Sequence, residues 1–211
     1  MNLITLDFET YYAQDFSLTK LTTEEYIRDP RFEVIGVGVK VDDEPTIWFS
    51  GERETIKSRL HSLIDWQNSA LLCHNTMFDG AILKWIFDCE PQFYLDTLCM
   101  ARAIHGVDAG GSLAKLAERY SIGVKGTEVV EAKGKRRTGF TNSELAQYGE
   151  YCKNDVELTL KLFQILSSEF PDEELDLIDM TLRMFICPTL MVDDALLEAR
   201  LEEVRNEKTE L

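Results

Sequence analysis

Leu3-Ile4-Thr5-Leu6-Asp7-Phe8-Glu9-Thr10 sets the reading of the whole chain. Its first four residues are those of a buried strand, and two acids follow with no turn signal between. Side chains alternate along a strand, so Asp7 and Glu9 share one face. Two carboxylates held about 4 Å apart repel by about 4 kcal/mol at an effective dielectric near 20. A divalent cation with hard oxygen ligands offsets that cost. The alternative at this point is a strand that simply exits into solvent.

Working outward, near-continuous apolar runs mark strands at 2–9, 33–41 and 45–49, the last two joined as a hairpin through Asp42-Asp43-Glu44-Pro45. Residues 53–65 carry apolar positions at helical spacing (Ile56, Leu60, Leu63, Ile64). Ala70-Leu71-Leu72-Cys73 is a short buried strand ended by His74-Asn75, and a helix is predicted over 78–87. Helices are also predicted over 98–105 and, capped by Ser112, on to Tyr120. Residues 121–140 are glycine-rich, basic and aperiodic, which predicts a surface loop or loose hairpin. Thr141-Asn142-Ser143-Glu144 has the form of a capping box. It should open a helix ending near Tyr151, with a second helix over 154–170 stopped by Pro171. Two more helices follow at 173–186 and 193–208. The pattern indicates an α/β fold: a mixed sheet with helices on its faces. We divide it into a domain over 1–171 and, over 172–211, a helical extension or a linker toward a further domain.

The formal net charge is −16, which argues against a nucleic-acid ligand until its distribution is considered. Residues 172–211 hold 12 acids and 4 bases, so half of the excess lies in that stretch. Residues 115–137 hold 7 bases and 3 acids, with a basic cluster at Lys133-Gly134-Lys135-Arg136-Arg137. The five cysteines (73, 89, 99, 152 and 187) show no paired spacing, so neither a disulfide framework nor a zinc site is expected. No apolar run is long enough to span a membrane, and the chain enters its first strand at once, leaving no room for a signal peptide. Reduced thiols in a cytoplasm are the expectation.

Two further acidic positions stand out. Asp79 follows a strand end in His74-Asn75-Thr76-Met77-Phe78-Asp79, where α/β sheets build their sites. An acid favouring a helix N-terminus is its bland alternative. Tyr151 and Asp155 are one helical turn apart on a shared face, as any half-buried pair could be. Taken together, Asp7-x-Glu9, Asn75-x-x-Phe78-Asp79 and Tyr151-x-x-x-Asp155 resemble, in order and spacing, the three motifs of the DEDD (DnaQ-like) superfamily of 3′–5′ exonucleases. Tyr151 matches the tyrosine form; the histidine form would need His at position 150, which is Glu150. Thr23-Glu24-Glu25-Tyr26-Ile27-Arg28-Asp29-Pro30-Arg31-Phe32-Glu33-Val34-Ile35-Gly36, Leu95-Asp96-Thr97 and residues 176–193 are similar to segments of phage-encoded family A DNA polymerases, without the polymerase motifs.

The resemblance implies an RNase H-like fold and hydrolysis with two divalent cations, Mg²⁺ or Mn²⁺. Asp7, Glu9 and Asp155 would bind one ion, Asp7 would bridge to the second, and Asp79 would serve the second. Tyr151 would orient the nucleophilic water. It further implies a proofreading activity that releases nucleoside 5′-monophosphates from a single-stranded DNA 3′ end. The partner would be a DNA polymerase in cis or in trans, the setting the cytoplasm of a phage host, with no membrane involved. An RNA exonuclease and a non-catalytic module that binds nucleic acid or docks a polymerase are the competing readings. Among candidate substrate contacts, Phe8, Thr10, Asn75 and Phe78 flank the acids, with core packing or strand termination as their alternatives. Lys133, Lys135, Arg136 and Arg137 would grip single-stranded backbone or form a solvated loop. His74 and Asp96 are assigned structural roles.

Overall fold

The computed structural model describes residues 1–126 and 132–209. Five strands form one mixed sheet, β1 (Asn2–Thr10), β2 (Val34–Val41), β3 (Ile47–Ser50), β4 (Ser69–Cys73) and β5 (Phe93–Asp96), in the order β3-β2-β1-β4-β5. β1–β2 and β2–β3 pair antiparallel, while β1–β4 and β4–β5 are parallel. The helices are α1 (Thr23–Arg28), α2 (Arg53–Leu63), α3 (Thr76–Phe87), α4 (Thr97–His105), α5 (Leu113–Tyr120), α6 (Asn142–Leu166), α7 (Asp172–Ile186) and α8 (Asp194–Thr209). The α/β class with helices on both sides of a mixed sheet is as expected.

The predicted hairpin of β2 and β3 forms, turning at Asp42 with φ +46°. The Ser112 cap and the capping box at Thr141 are both present. Three features depart from the sequence reading. Residues 141–170 do not make two helices: α6 is one helix of 25 residues. Asn154 mimics a cap in the sequence, but its side-chain amide donates to the Val124 carbonyl (3.1 Å) while the helix runs through it. Strand β5 and helix α1 were not expected. β5 is only four residues long, and α1 is a six-residue helix held by its own capping box at Thr22 and Glu25.

The sheet positions the site through one close approach. Gly38 on β2 pairs with Asp7 on β1, and a Cβ there would lie 2.9 Å from Cys152 Sγ and 3.1 Å from Val156 Cγ2. Glycine at 38 therefore lets α6 lie down on β1 and β2, with Tyr151, Cys152 and Asp155 facing the strand acids. The opposite face of β1 belongs to the main core. Ile4, Leu6 and Phe8 pack there with Ile82, Leu83 and Phe87 of α3. α7 joins that core through Leu182 and Ile186, and the Trp85 indole donates to the Ile186 carbonyl (2.8 Å). Of the helices expected as an extension, α7 is thus packed on α3 and β5, whereas α8 has no buried residue. Cys73, Cys89, Cys99, Cys152 and Cys187 are all free thiols. Among the described residues no helix is long and apolar enough to cross a membrane.

Candidate active site

The three separated acidic motifs meet at the strand end of β1. Asp7 and Glu9 point to one side of the sheet, and their carboxylates gather with the Cys152 thiol within 4.8 Å of one another. Asp79 reaches the same strand from the first turn of α3, where its Oδ1 accepts from the Phe8 N–H at 3.0 Å. Asp155 comes from α6 and is buried, with Oδ2 paired to the Lys125 ammonium. Among the described residues its Oδ1 is buried without a hydrogen-bond partner. A buried carboxylate oxygen left unpaired is costly and marks a missing cationic or donor partner.

Asp7 is the common neighbour of the cluster. Desolvation, and then the charge of Asp155, push its carboxyl up to about 7. Burial, and next the Asp7 charge, raise Glu9 and Asp79 well above the ordinary range. Burial also raises Asp155, though Lys125 and the Tyr151 hydroxyl favour its charged form. The Asp7 and Glu9 carboxylates at ligand distance, with Asp155 and Asp79 each acting on Asp7 or raised by it, form a set of hard oxygen donors that fits divalent cations. Cys152 does not fit as a ligand. Burial and the Asp7 charge keep its thiol protonated, and it donates to the Asp7 carbonyl (3.3 Å) and to Asp7 Oδ2 (3.5 Å).

An open cleft of about 470 Å³ lies over this cluster. Asp7, His74, Asn75, Arg102, Lys125 and Asp155 are among its lining residues. Tyr151 is buried beside it, with Lys125 Nζ 5.3 Å from its ring centre. Burial and the Asp155 charge push the phenol up, so it stays protonated at neutral pH.

The candidate substrate contacts separate into groups. Asn75 lines the cleft and adopts φ +81°, a left-handed conformation that asparagine tolerates, to turn the chain from β4 into α3. Phe8 is in the core, its ring stacked on Phe87 at 5.4 Å, and is closed to a nucleotide because it points away from its acidic neighbours. Phe78 is half-buried against Tyr26, and the Thr10 hydroxyl bonds the Tyr26 hydroxyl at 3.0 Å. The basic cluster is not brought to the cleft. Lys135 pairs with Glu144 (2.5 Å) and Arg136 with Glu33 (2.9 Å), while Arg137 pairs with Glu52 and lines a separate cavity. Lys133 is exposed. Lys135, Arg136 and Arg137 answer nearby acids of an acidic protein.

His74 and Asp96 are structural, as assigned. Both His74 ring nitrogens are engaged, with Thr97 Oγ1 (2.8 Å) and the Gly111 carbonyl (2.8 Å). Asp96 caps α4 and accepts from the N–H groups of Asn75 and Thr76. Three residues at the site went unnoticed in the sequence. The Tyr148 hydroxyl favours the charged form of Glu9, and its place one turn before Tyr151 on α6 was the available signal. Lys125 lay inside the basic stretch but carried no motif. Nothing in the sequence singles out Cys152.

A model of the 3′–5′ exonuclease family (DNA_pol_A_exo1) matches residues 3–171. The chain belongs to this 3′–5′ exonuclease family. No curated protein gave a match to its sequence. Among solved structures, the exonuclease is similar to Trypanosoma brucei RNase D in complex with RNA U12 (TM-score 0.66, 16% identity), covering 90% of this chain and 65% of that one. It is also similar to Brucella melitensis NrnC with bound Mg²⁺ (TM-score 0.61, 14% identity, 88% of this chain and 82% of that one). Escherichia coli RNase D, described as an exoribonuclease involved in structured RNA processing, gives TM-score 0.58 at 16% identity, over 90% of this chain and 46% of that one. At these identities the likeness concerns the fold. The exonuclease spans just under two thirds of the RNase D chain first named.

Proposed function

We propose that this exonuclease hydrolyses phosphodiester bonds at the 3′ end of single-stranded DNA, with two divalent cations and a tyrosine, in the manner of a proofreading domain. The observation that carries the reading is the shared neighbourhood of Asp7, Glu9, Asp79 and Asp155, with Asp155 Oδ1 left without a partner among the described residues. Asp7, Glu9 and Asp155 would hold one ion, and Asp7 with Asp79 the other. Bound there, such ions lower the pKa of water and stabilise the departing 3′ oxygen.

The chain's own groups supply the rest. The Asp79 carboxylate is fixed by the Phe8 N–H, and the Tyr148 hydroxyl favours the charged form of Glu9. Cys152 donates to Asp7 and steadies it on β1. Tyr151, kept protonated, orients the attacking water through its hydroxyl and does not remove the proton. Asn75 faces the cleft and is placed to meet the terminal nucleotide. The tyrosine form at 151, rather than a histidine at 150, supports DNA over RNA, as does the similarity to family A polymerase segments.

A second reading, an RNA exonuclease, is favoured by the fold neighbours: two are named RNase D, one bound to RNA, and NrnC is also described bound to pGG. Matched 5′-labelled DNA and RNA oligonucleotides with Mn²⁺ separate the two. A descending ladder on DNA, faster than on RNA, is expected. A ladder on RNA alone would transfer the assignment to RNA, and an intact band on both would overturn the enzyme reading.

A further inference from the structure

Lys125 is a cation inside a site built for cations. Its ammonium pairs with Asp155 Oδ2, stands 5.3 Å from the Tyr151 ring centre and lines the cleft with Asp7 and Asn75. The side chain remains 30% exposed, so it has room to leave. The loop that carries it is tied to α6 on both sides of Asp155. Asn154 donates to the Val124 carbonyl (3.1 Å). Gly123 lies so close to Leu158 that an added Cβ would sit 2.8 Å from its Cδ2. These anchors hold residue 125 over Asp155 by construction.

We propose that Lys125 is an exchangeable counter-ion: it occupies Asp155 in the cation-free enzyme, yields that carboxylate to the incoming divalent ion, and then bonds a phosphate oxygen of the bound strand. The proposal rests on the exonuclease reading above. Its physical basis is competition. Asp155 Oδ2 serves either the ammonium or a divalent ion, and the two cations repel each other when both are present. The released ammonium, still beside Tyr151, lies where a strand entering the cleft brings its phosphates. A lysine there makes a charge-assisted bond to a phosphate oxygen.

The test compares wild type with Lys125→Met and Lys125→Arg. Mn²⁺ affinity is measured without nucleic acid by titration calorimetry, and turnover on a 5′-labelled DNA oligonucleotide at saturating Mn²⁺. If Asp155 is free of Lys125 in about one molecule in ten, Lys125→Met binds Mn²⁺ about tenfold more tightly. Losing a charge-assisted bond lowers its kcat/KM by roughly ten- to a hundredfold, with Lys125→Arg between the two. Tighter metal with weaker catalysis is a pairing that a purely structural lysine would not produce. Unchanged or weaker Mn²⁺ binding in folded Lys125→Met, or unaltered kcat/KM, would overturn the proposal. A wild type that neither binds Mn²⁺ nor degrades DNA would instead remove the exonuclease reading beneath it.

Discussion

At the scale of single residues, Asp7 works against the folded chain in order to serve the site. Its carboxyl is pushed up to about 7 because burial and Asp155 disfavour its charge. Replacing it by asparagine removes a charge from a repulsive cluster while keeping the size of the side chain. Asp7→Asn should therefore melt at or above the wild-type temperature in EDTA and lose the rise that Mn²⁺ gives wild type. Its exonuclease rate should fall by about 10³-fold or more if, as proposed, that carboxylate holds the cations that stabilise the transition state. Melting curves with and without Mn²⁺, beside an oligonucleotide assay, check both halves. A variant less stable in EDTA than wild type would mean that Asp7 is a structural acid. These positions stood out in the sequence only together, through their resemblance in order and spacing to the three exonuclease motifs, because each carboxylate alone has an ordinary structural reading. Lys125 and Cys152 did not stand out, because their roles exist only where the loop and α6 meet β1.

At the scale of elements, the site depends on how closely α6 lies on the sheet. Gly38→Ala would place a methyl 2.9 Å from Cys152 Sγ and 3.1 Å from Val156 Cγ2. Overpacking of this kind costs about 1–3 kcal/mol and displaces the helix that carries Asp155. Denaturant midpoints should fall accordingly, and Mn²⁺ affinity with them. A variant with wild-type midpoint and affinity would show that α6 can shift without disturbing the acids. The element boundaries that sequence patterns gave well were those with strong periodicity or caps: β1, β2, β4, the Ser112 cap and the Thr141 box. The break read between Tyr151 and Asn154 does not exist, because a polar run that reads as a cap is here the face of α6 turned to the loop at 124 and to the site. β5 escaped notice because four residues with one charged end carry too little alternation, and its place is fixed by pairing with β4.

At the scale of the molecule, the net charge of −16 and the buried acids make stability depend on pH and on cations together. Asp7 has a folded pKa of about 7 against 3.8 for the free group, so between those values the folded state binds more protons than the unfolded chain. Stability of the cation-free protein then falls as pH rises through that interval. Glu9 and Asp79, also raised, act in the same direction. In EDTA, the difference in urea midpoint between Asp7→Asn and wild type should widen from pH 4 to pH 7, and saturating Mn²⁺ should abolish the wild-type decline. A wild-type midpoint that tracks that of Asp7→Asn across the whole interval would contradict the burial of a costly charge at position 7. The acidic α8, with no buried residue, takes no part in this linkage and its removal should leave the pH dependence as it was.

The central claim is that four carboxylates from β1, α3 and α6 converge on cations at the end of β1. A crystal soaked in manganese, with anomalous diffraction recorded at the manganese edge, tests it most directly. The account predicts anomalous density bounded by the oxygens of Asp7, Glu9 and Asp155, with Lys125 turned away from Asp155. Carboxylates pointing apart with no anomalous peak between them would contradict it.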